Sequence, residues 1–199
     1  MAATCGSVYV GPPASIDDRS AMIVFETERT IIRGFMISDL PSVQSFWCDP
    51  EVKRFFPGGA SPIDKVQQSL EKTIERYRTL PPGMGMWAVD ERATRTTIGH
   101  AALVFLDQTE NIEIGYLLQK SSWGHGLGTE IAKGLIDYGF STLKLDRIVA
   151  IAHPENARSI SIIKKSGMRT IGPAHYYGMA VILFEATSRE AALSQRSTL

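Results

Sequence analysis

Residues 113–140 read EIGYLLQKSSWGHGLGTEIAKGLIDYGF: an apolar strand, a polar break, glycines at 124, 126 and 128, then a long amphipathic run. Glycine loses more conformational entropy on folding than any other residue. Three of them where a strand hands over to a helix imply that something large and polar lies against bare main chain. Such a junction leaves unpaired backbone N–H groups at the helix N-terminus, where the helix dipole is also positive. Phosphate fits there without any basic side chain.

The elements around this stretch define the fold class. "TIIRGF" (30–35) predicts a first strand, and Ser38 an N-cap for a short helix through Val43, Phe46 and Trp47 that stops near Asp49-Pro50. Ser61 and Pro62 open a second helix whose Val66, Leu70, Ile74, Tyr77 and Leu80 share one face. "MGMWAVD", "TIGHAALVFL" and "NIEIGYLLQ" then predict three strands of an antiparallel meander. Past the glycines, Leu127, Ile131, Leu135 and Tyr138, flanked by Ala132, Ile136 and Phe140, form a broad apolar helix face. "DRIVAIAH" is a continuous apolar run, expected to be buried on both faces and parallel to the strand before the loop, in a right-handed βαβ unit. "NARSISIIKKSG" predicts a further helix, and "MRTIG" and "GMAVILFEAT" predict closing strands. The expectation is a mixed α/β fold: a mostly antiparallel sheet with one parallel pair, flanked by helices. Residues 22–190 are expected to form one domain, with 1–21 an extension of unknown role and 191–199 a tail.

Charge and composition narrow the function. The 21 Lys and Arg residues equal the 21 Asp and Glu, so no global basic field exists to hold nucleic acid or an anionic membrane. No apolar run has the length of a membrane span. Cys5 and Cys48 form no Cys-x-x-Cys pair, and the first 21 residues lack a basic n-region, which points to a reduced, cytoplasmic protein. His100, His125, His153 and His175 lack metal-ligand spacing, so no metal is expected. Cys48 has no histidine near it in sequence to activate it as a nucleophile.

Three phosphate-binding readings of the loop compete. A P-loop ends in Gly-Lys-Ser/Thr, and Gly128-Thr129 lacks the lysine. A dinucleotide fingerprint, Gly-x-Gly-x-x-Gly, fails at Thr129, which leaves an NAD-binding oxidoreductase as the weakest alternative. From Trp123 onward, however, the loop resembles the pyrophosphate signature of the GNAT acetyltransferase superfamily, Arg/Gln-x-x-Gly-x-Gly/Ala, with Gly126 and Gly128 at the small positions. Trp123 replaces Arg or Gln, as is usual in the RimJ/RimL-like branch, which "SWGHGLGTE" resembles. "ETERTIIRGFMISDL", "CDPEVKRFFPGG", "EIGYLL" and "NARSISIIKKSGM" are similar to other segments of that branch in the same order, over about residues 26–187. Gly167-Met168 stands where Gly-Phe is usual.

The resemblance implies an N-acetyltransferase that passes an acetyl group from acetyl-CoA directly to a primary amine, a peptide N-terminus or a small molecule, within a ternary complex. It implies that the strand before the loop and the next one splay apart and admit the pantetheine arm, which bonds to the main chain of Tyr116, Leu117 and Leu118. The pyrophosphate would lie along the loop from Trp123 through Gly124, His125, Gly126, Leu127 and Gly128 to Thr129. Asn156 is an N-cap by position, and by resemblance also bonds the arm. Ser159 either bonds its own helix or donates to the leaving thiolate; the tyrosine that serves many relatives seven residues after the Asn is Ile163 here. Glu113 is either a solvent-facing strand residue or the base that takes the amine proton. Phe55, Phe56 and Trp87 are candidates for an acceptor pocket. A monomer or homodimer, or an acyl-CoA-binding module without transfer, is compatible with the same residues.

Overall fold

The structure is a computed structural model, and residues 23–188 are described; the expected extension (1–21) and tail (191–199) lie outside the described residues. Eight strands and four helices follow one another: β1 (Ile23–Glu26), β2 (Thr30–Arg33), α1 (Leu40–Trp47), α2 (Ile63–Arg76), β3 (Gly85–Glu91), β4 (Thr97–Phe105), β5 (Ile112–Leu118), α3 (Leu127–Ser141), β6 (Arg147–Ala152), α4 (Ala157–Lys165), β7 (Arg169–Tyr176) and β8 (Met179–Thr187). They form one sheet in the order β1-β2-β3-β4-β5-β6-β8-β7. The expected α/β class is therefore observed. The strand β1 is added to the expected order; its four residues are too short a run to announce a period.

The meander from β2 to β5 is antiparallel throughout. The β5–β6 pair is parallel, as the buried run in "DRIVAIAH" implies, and Ile148, Val149 and Ala150 are all buried. Its pairing differs from that of its neighbours. β4 and β5 pair from Gly99–Leu118 to Phe105–Ile112, but β5 and β6 register at Glu113–Val149 alone. Beyond that point the two strands separate and, among the described residues, one edge of β5 has no ladder partner. At the far edge, β7 reaches Tyr176 and carries Pro173 and an irregular register at Thr170–Gly172, both tolerated where a strand has a free side. The β7–β8 turn holds Tyr177 and Gly178 at φ 52° and 73°, the positive values that two-residue hairpin turns require.

Helices cover both faces. One core packs Trp87, Val89, Leu103 and Ile114 against Ile131 and Leu135 of α3 and Ile163 of α4. The other packs Ala88 and Leu117 against Phe46 and Trp47 of α1 and Val66 and Leu70 of α2. Two expected caps shift. The N-cap position of α1 is Asp39, after a 3-10 turn, not Ser38, and α2 starts at Ile63 after Pro62; neither helix has a side-chain cap bond.

Asp39 is diverted because its carboxylate serves Arg33, which is 1% exposed at the end of β2. The guanidinium donates to Asp39 Oδ1 and Oδ2 at 2.8 Å, to Asp90 Oδ2 at 2.7 Å and to Thr97 Oγ1 at 3.0 Å. Burial alone would lower the Arg33 pKa, but the two carboxylates more than reverse this and raise it. One cation thus ties β2, β3, the start of β4 and the start of α1 together. Arg33→Met leaves two buried carboxylates without their cation and should lower the unfolding free energy by about 3–5 kcal/mol. The urea midpoint reports this, and adding Asp39→Asn and Asp90→Asn should recover part of the loss.

Candidate active site

The glycine loop joins β5 to α3 through a 3-10 turn at Lys120–Ser122. Gly124 and Gly126 sit at φ 83° and 80°, and Gly126 is the N-cap of α3 with no side-chain cap bond. A side chain would be strained at either position. Gly128 is different. Its φ is not positive, and a Cβ there would stand 2.9 Å from Ile162 Cδ1 of α4, so this glycine lets α3 and α4 pack closely. The Thr129 N–H turns back to the Gly126 carbonyl at 3.1 Å. Among the described residues, no backbone carbonyl accepts from the N–H groups of Gly124, His125, Gly126, Leu127 or Gly128. These five donors lie at the positive end of α3, the kind of position where an anion is favoured.

Trp123 latches the loop instead of facing it. Its indole Nε1 donates to the Leu118 carbonyl at 2.8 Å, and the Arg158 guanidinium lies 4.6 Å above its ring. The Leu118 carbonyl is thereby taken within the protein. A second latch comes from the β1–β2 turn. Arg29 donates through Nε to Glu130 Oε2 at 2.7 Å and through Nη1 to the His125 carbonyl at 2.9 Å, while its backbone N–H and the Thr27 hydroxyl reach Glu130 Oε1 at 2.7 and 2.6 Å. Burial alone would raise the Glu130 pKa, but bonds from Thr27 and Arg29 hold it below the ordinary value. The sequence did not single out Arg29, because about a hundred residues separate it from the loop. An acidic residue in the first turn, just behind the glycines, was the available signal that a partner was needed.

The walls of the gap between β5 and β6 bring several expected residues together. Asn156 Oδ1 accepts from the Ser159 N–H at 3.1 Å and caps α4. The Ser159 and Tyr116 hydroxyls lie 3.3 Å apart, which joins β5 to α4. Burial raises the Tyr116 pKa to about 12 despite the bond to Ser159. Tyr116 and Leu117 pair with β4 on one side, through Ala101 and His100, and have no β6 partner on the other.

Glu113 lies where the gap closes. It pairs with Val104 of β4 and Val149 of β6 and is 9% exposed, which excludes the solvent-facing alternative. The Tyr177 hydroxyl donates to its Oε2 at 2.8 Å. Burial pushes the Glu113 pKa from 4.5 to about 7; the Tyr177 bond pulls it down and nearby Asp107 pushes it up. Such a carboxylate suits proton transfer near neutral pH.

The aromatic candidates divide. Phe55 stacks on His153, which follows β6, with centroids 5.2 Å apart. Phe56 packs edge-on against His100 at 6.3 Å and belongs to the α1–α2 core. Trp87 is 3% exposed and meets Tyr138 at 6.0 Å in the core on the α3 side, so it fills the interior. His100 accepts from Trp47 Nε1 at 3.0 Å, and burial, aided by Lys53, lowers its pKa to about 3. It is neutral and structural. Among the described residues there is no cluster of His, Cys, Asp or Glu suited to a metal, and no helix is long and apolar enough to cross a membrane.

A parted parallel pair with backbone N–H groups beside it and a buried carboxylate at its closed end makes an opening within the sheet. The acetyltransferase (GNAT) domain family matches residues 29–169, and the chain belongs to that family. An uncharacterized N-acetyltransferase of Bacillus licheniformis, p20, is 30% identical over 174 residues, 83% of this chain and 97% of p20. A GNAT-family acetyltransferase structure from Bacillus anthracis superposes with a TM-score of 0.71 at 23% identity, over 84% of this chain and 99% of that one. RimL, a ribosomal-protein α-N-acetyltransferase solved in complex with coenzyme A, superposes with a TM-score of 0.68 at 13% identity, over 83% of this chain and 97% of RimL.

The raised Glu113 pKa has a consequence for stability. Between pH 4.5 and about 7 the folded protein keeps a proton that the unfolded chain has released. This contribution is full below 4.5 and is lost as pH rises through that window, by up to about 3 kcal/mol. Glu113→Gln does not titrate, so urea unfolding across the window should show the difference between variant and wild type growing in the variant's favour.

Proposed function

We propose that this protein transfers an acetyl group from acetyl-CoA directly to a primary amine in a ternary complex, and that it belongs to the RimJ/RimL-like branch. The observation that carries the reading is the parting of β5 and β6 between two chemically distinct ends. One end offers five N–H groups with no backbone acceptor, and the other a buried carboxylate with a pKa near neutrality.

A pyrophosphate suits the run from Gly124 to Gly128, because a Cβ would meet nothing at Gly124 and only Arg29 Nη2, 3.5 Å away, at Gly126, and the N–H groups have no backbone acceptor among the described residues. The pantetheine arm would extend along the unpaired edge of β5 at Tyr116 and Leu117 as an added strand. The N–H groups of that edge would polarise the thioester carbonyl. Glu113 takes one proton from the ammonium, the free amine attacks the carbonyl carbon, and as the C–S bond breaks a second nitrogen proton passes to the departing sulfur. Ser159, steadied by Tyr116, donates a hydrogen bond to the departing sulfur. Phe55 on His153 borders the opening beside the end of β6. The free Cys48 accords with a reduced, cytoplasmic setting.

Acceptor-dependent release of CoA thiol from acetyl-CoA, over a panel of amines, tests the activity itself. CoA should raise the melting temperature more than NAD or ATP; a ligand at a hundred times its Kd stabilises by about 2.7 kcal/mol. Gly126→Val forces a β-branched residue to φ 80° beside Arg29 and should abolish most of the CoA shift while the protein stays folded. A CoA shift without thiol release from any amine would instead identify a binding module.

Ser159→Ala removes a bond that strengthens only as sulfur gains charge. Bonds to charged partners are worth about 1.5–3 kcal/mol, so kcat should fall roughly ten- to a hundredfold with little change in acetyl-CoA affinity. A lower affinity at constant kcat would make Ser159 a coenzyme anchor.

A further inference from the structure

Glu113 is poorly placed to meet an acceptor by itself. It is buried between Val104 and Val149, whereas the hydroxyl that bonds it belongs to Tyr177, a residue that lines an open cleft. This cleft has a volume of about 440 Å³ and lies between the C-terminal end of α2, β4, the β4–β5 turn and Tyr177. Val104, the cross-strand partner of Glu113, also lines it. Tyr177 is held with unusual firmness. Its φ of 52° is rare for a bulky residue, and its N–H is fixed on Asp107 Oδ2 at 3.1 Å. The β7–β8 turn and the Asp107 bond together hold this ring with its hydroxyl on Glu113.

The chemistry of the walls narrows the ligand. Asp107 and Arg76 contribute one charge of each sign, and much of the rest is Tyr77, Leu80, Met86 and Phe105. The size is that of a small-molecule site, and the balance of charge does not favour a polycation.

We propose that this cleft is the acceptor site, that it takes a small primary amine with an apolar body, and that the Tyr177 hydroxyl carries the ammonium proton to Glu113. The inference rests on the acetyl-transfer reading above. The ammonium gives a proton to the Tyr177 oxygen while Tyr177 gives its own to the Glu113 carboxylate, which leaves a neutral amine, a neutral tyrosine and a protonated Glu113. The amine nitrogen then bonds to the thioester carbon, the C–S bond breaks, and the second nitrogen proton goes to the departing sulfur. Glu113 afterwards releases its proton to solvent.

Tyr177 and Asp107, from the two turns, are the titratable groups that act on Glu113, while β4 and β6 bring Val104 and Val149. The Tyr177 bond favours the ionised carboxylate, so its removal raises the pKa of Glu113.

The test uses the full chain with phenethylamine, kanamycin and a short peptide as acceptors, and the CoA thermal shift as a control in every variant. Phenethylamine should be acetylated with a kcat/KM at least roughly tenfold above that of the other two, as a mostly apolar cleft predicts. Tyr177→Phe keeps the ring and should leave KM and the CoA shift unchanged, lower kcat by roughly 10²-fold, and move the acid limb of the pH profile upward. Thr73→Trp, which fills the cleft from α2, should raise the KM for the amine with the CoA shift intact. Wild-type kcat and an unmoved acid limb in Tyr177→Phe, or an unaltered KM in Thr73→Trp, would overturn the inference. So would preferential acetylation of kanamycin or the peptide, although transfer itself would then stand. A protein that binds CoA but releases thiol with no amine of a wider panel loses the acetyl-transfer reading and this one with it, whereas acetylation of another amine but not of phenethylamine overturns this inference alone.

Discussion

The site depends on one constraint in the sheet: β5 and β6 pair at Glu113–Val149 and nowhere beyond. A full parallel ladder would satisfy the backbone of both strands and close the interior to any ligand. Because the ladder stops after one rung, Tyr116 and Leu117 in the outer part of β5 have no partner on β6. The same rung puts Glu113 at the apex of the opening, where desolvation raises its proton affinity. Opening and buried carboxylate are therefore two results of one pairing.

Such an opening must be held from outside, since the strands that border it support each other little. On the α3 side this is done by close contact and polar latches. Gly128 brings α3 against Ile162 of α4, Tyr116 meets Ser159, and Trp123 reaches back to the Leu118 carbonyl. Arg29 adds a brace from the β1–β2 turn through the His125 carbonyl and Glu130. With its N–H groups thus fixed in direction, the loop would lose little further entropy on binding an anion. On the other side, the Arg33 cluster secures α1 against β2 and β3. That cluster is fully buried and distant in role from the chemistry, and its value lies in fixing the helical layer over the sheet.

Burial also separates two ionisable groups on one sheet face by function. His100 and Glu113 both lie among apolar neighbours, and desolvation favours the neutral form of each. For histidine this means a pKa of about 3 and no role in proton transfer near neutrality, with Nδ1 given to Trp47. For the carboxylate the same physical effect moves the pKa toward neutrality. The partner each meets, an indole N–H or the hydroxyl of Tyr177, completes the division.

The sequence by itself determined the α/β class, the meander, the crossover helix and the glycine loop. These rest on local periodicity and on residues such as Gly124 and Gly126, whose backbone conformations are short-range properties. It also brought forward Glu113, Asn156 and Ser159, because each has a recognisable position in its own strand or helix. Tertiary structure decided what these residues meet. Strand alternation alone left Glu113 facing either water or the cleft, and the register with Val104 and Val149 buried it. Trp87 has the size and polarity of a pocket residue, but the opposite face of β3 sends it into the core. Arg29, Arg33 and Tyr177 were not legible, since Glu130, Asp90 and Glu113, which they meet, lie 101, 57 and 64 residues away along the chain. Long-range ion pairs and hydrogen bonds leave no period in a sequence; they exist only once the sheet order has brought distant turns together.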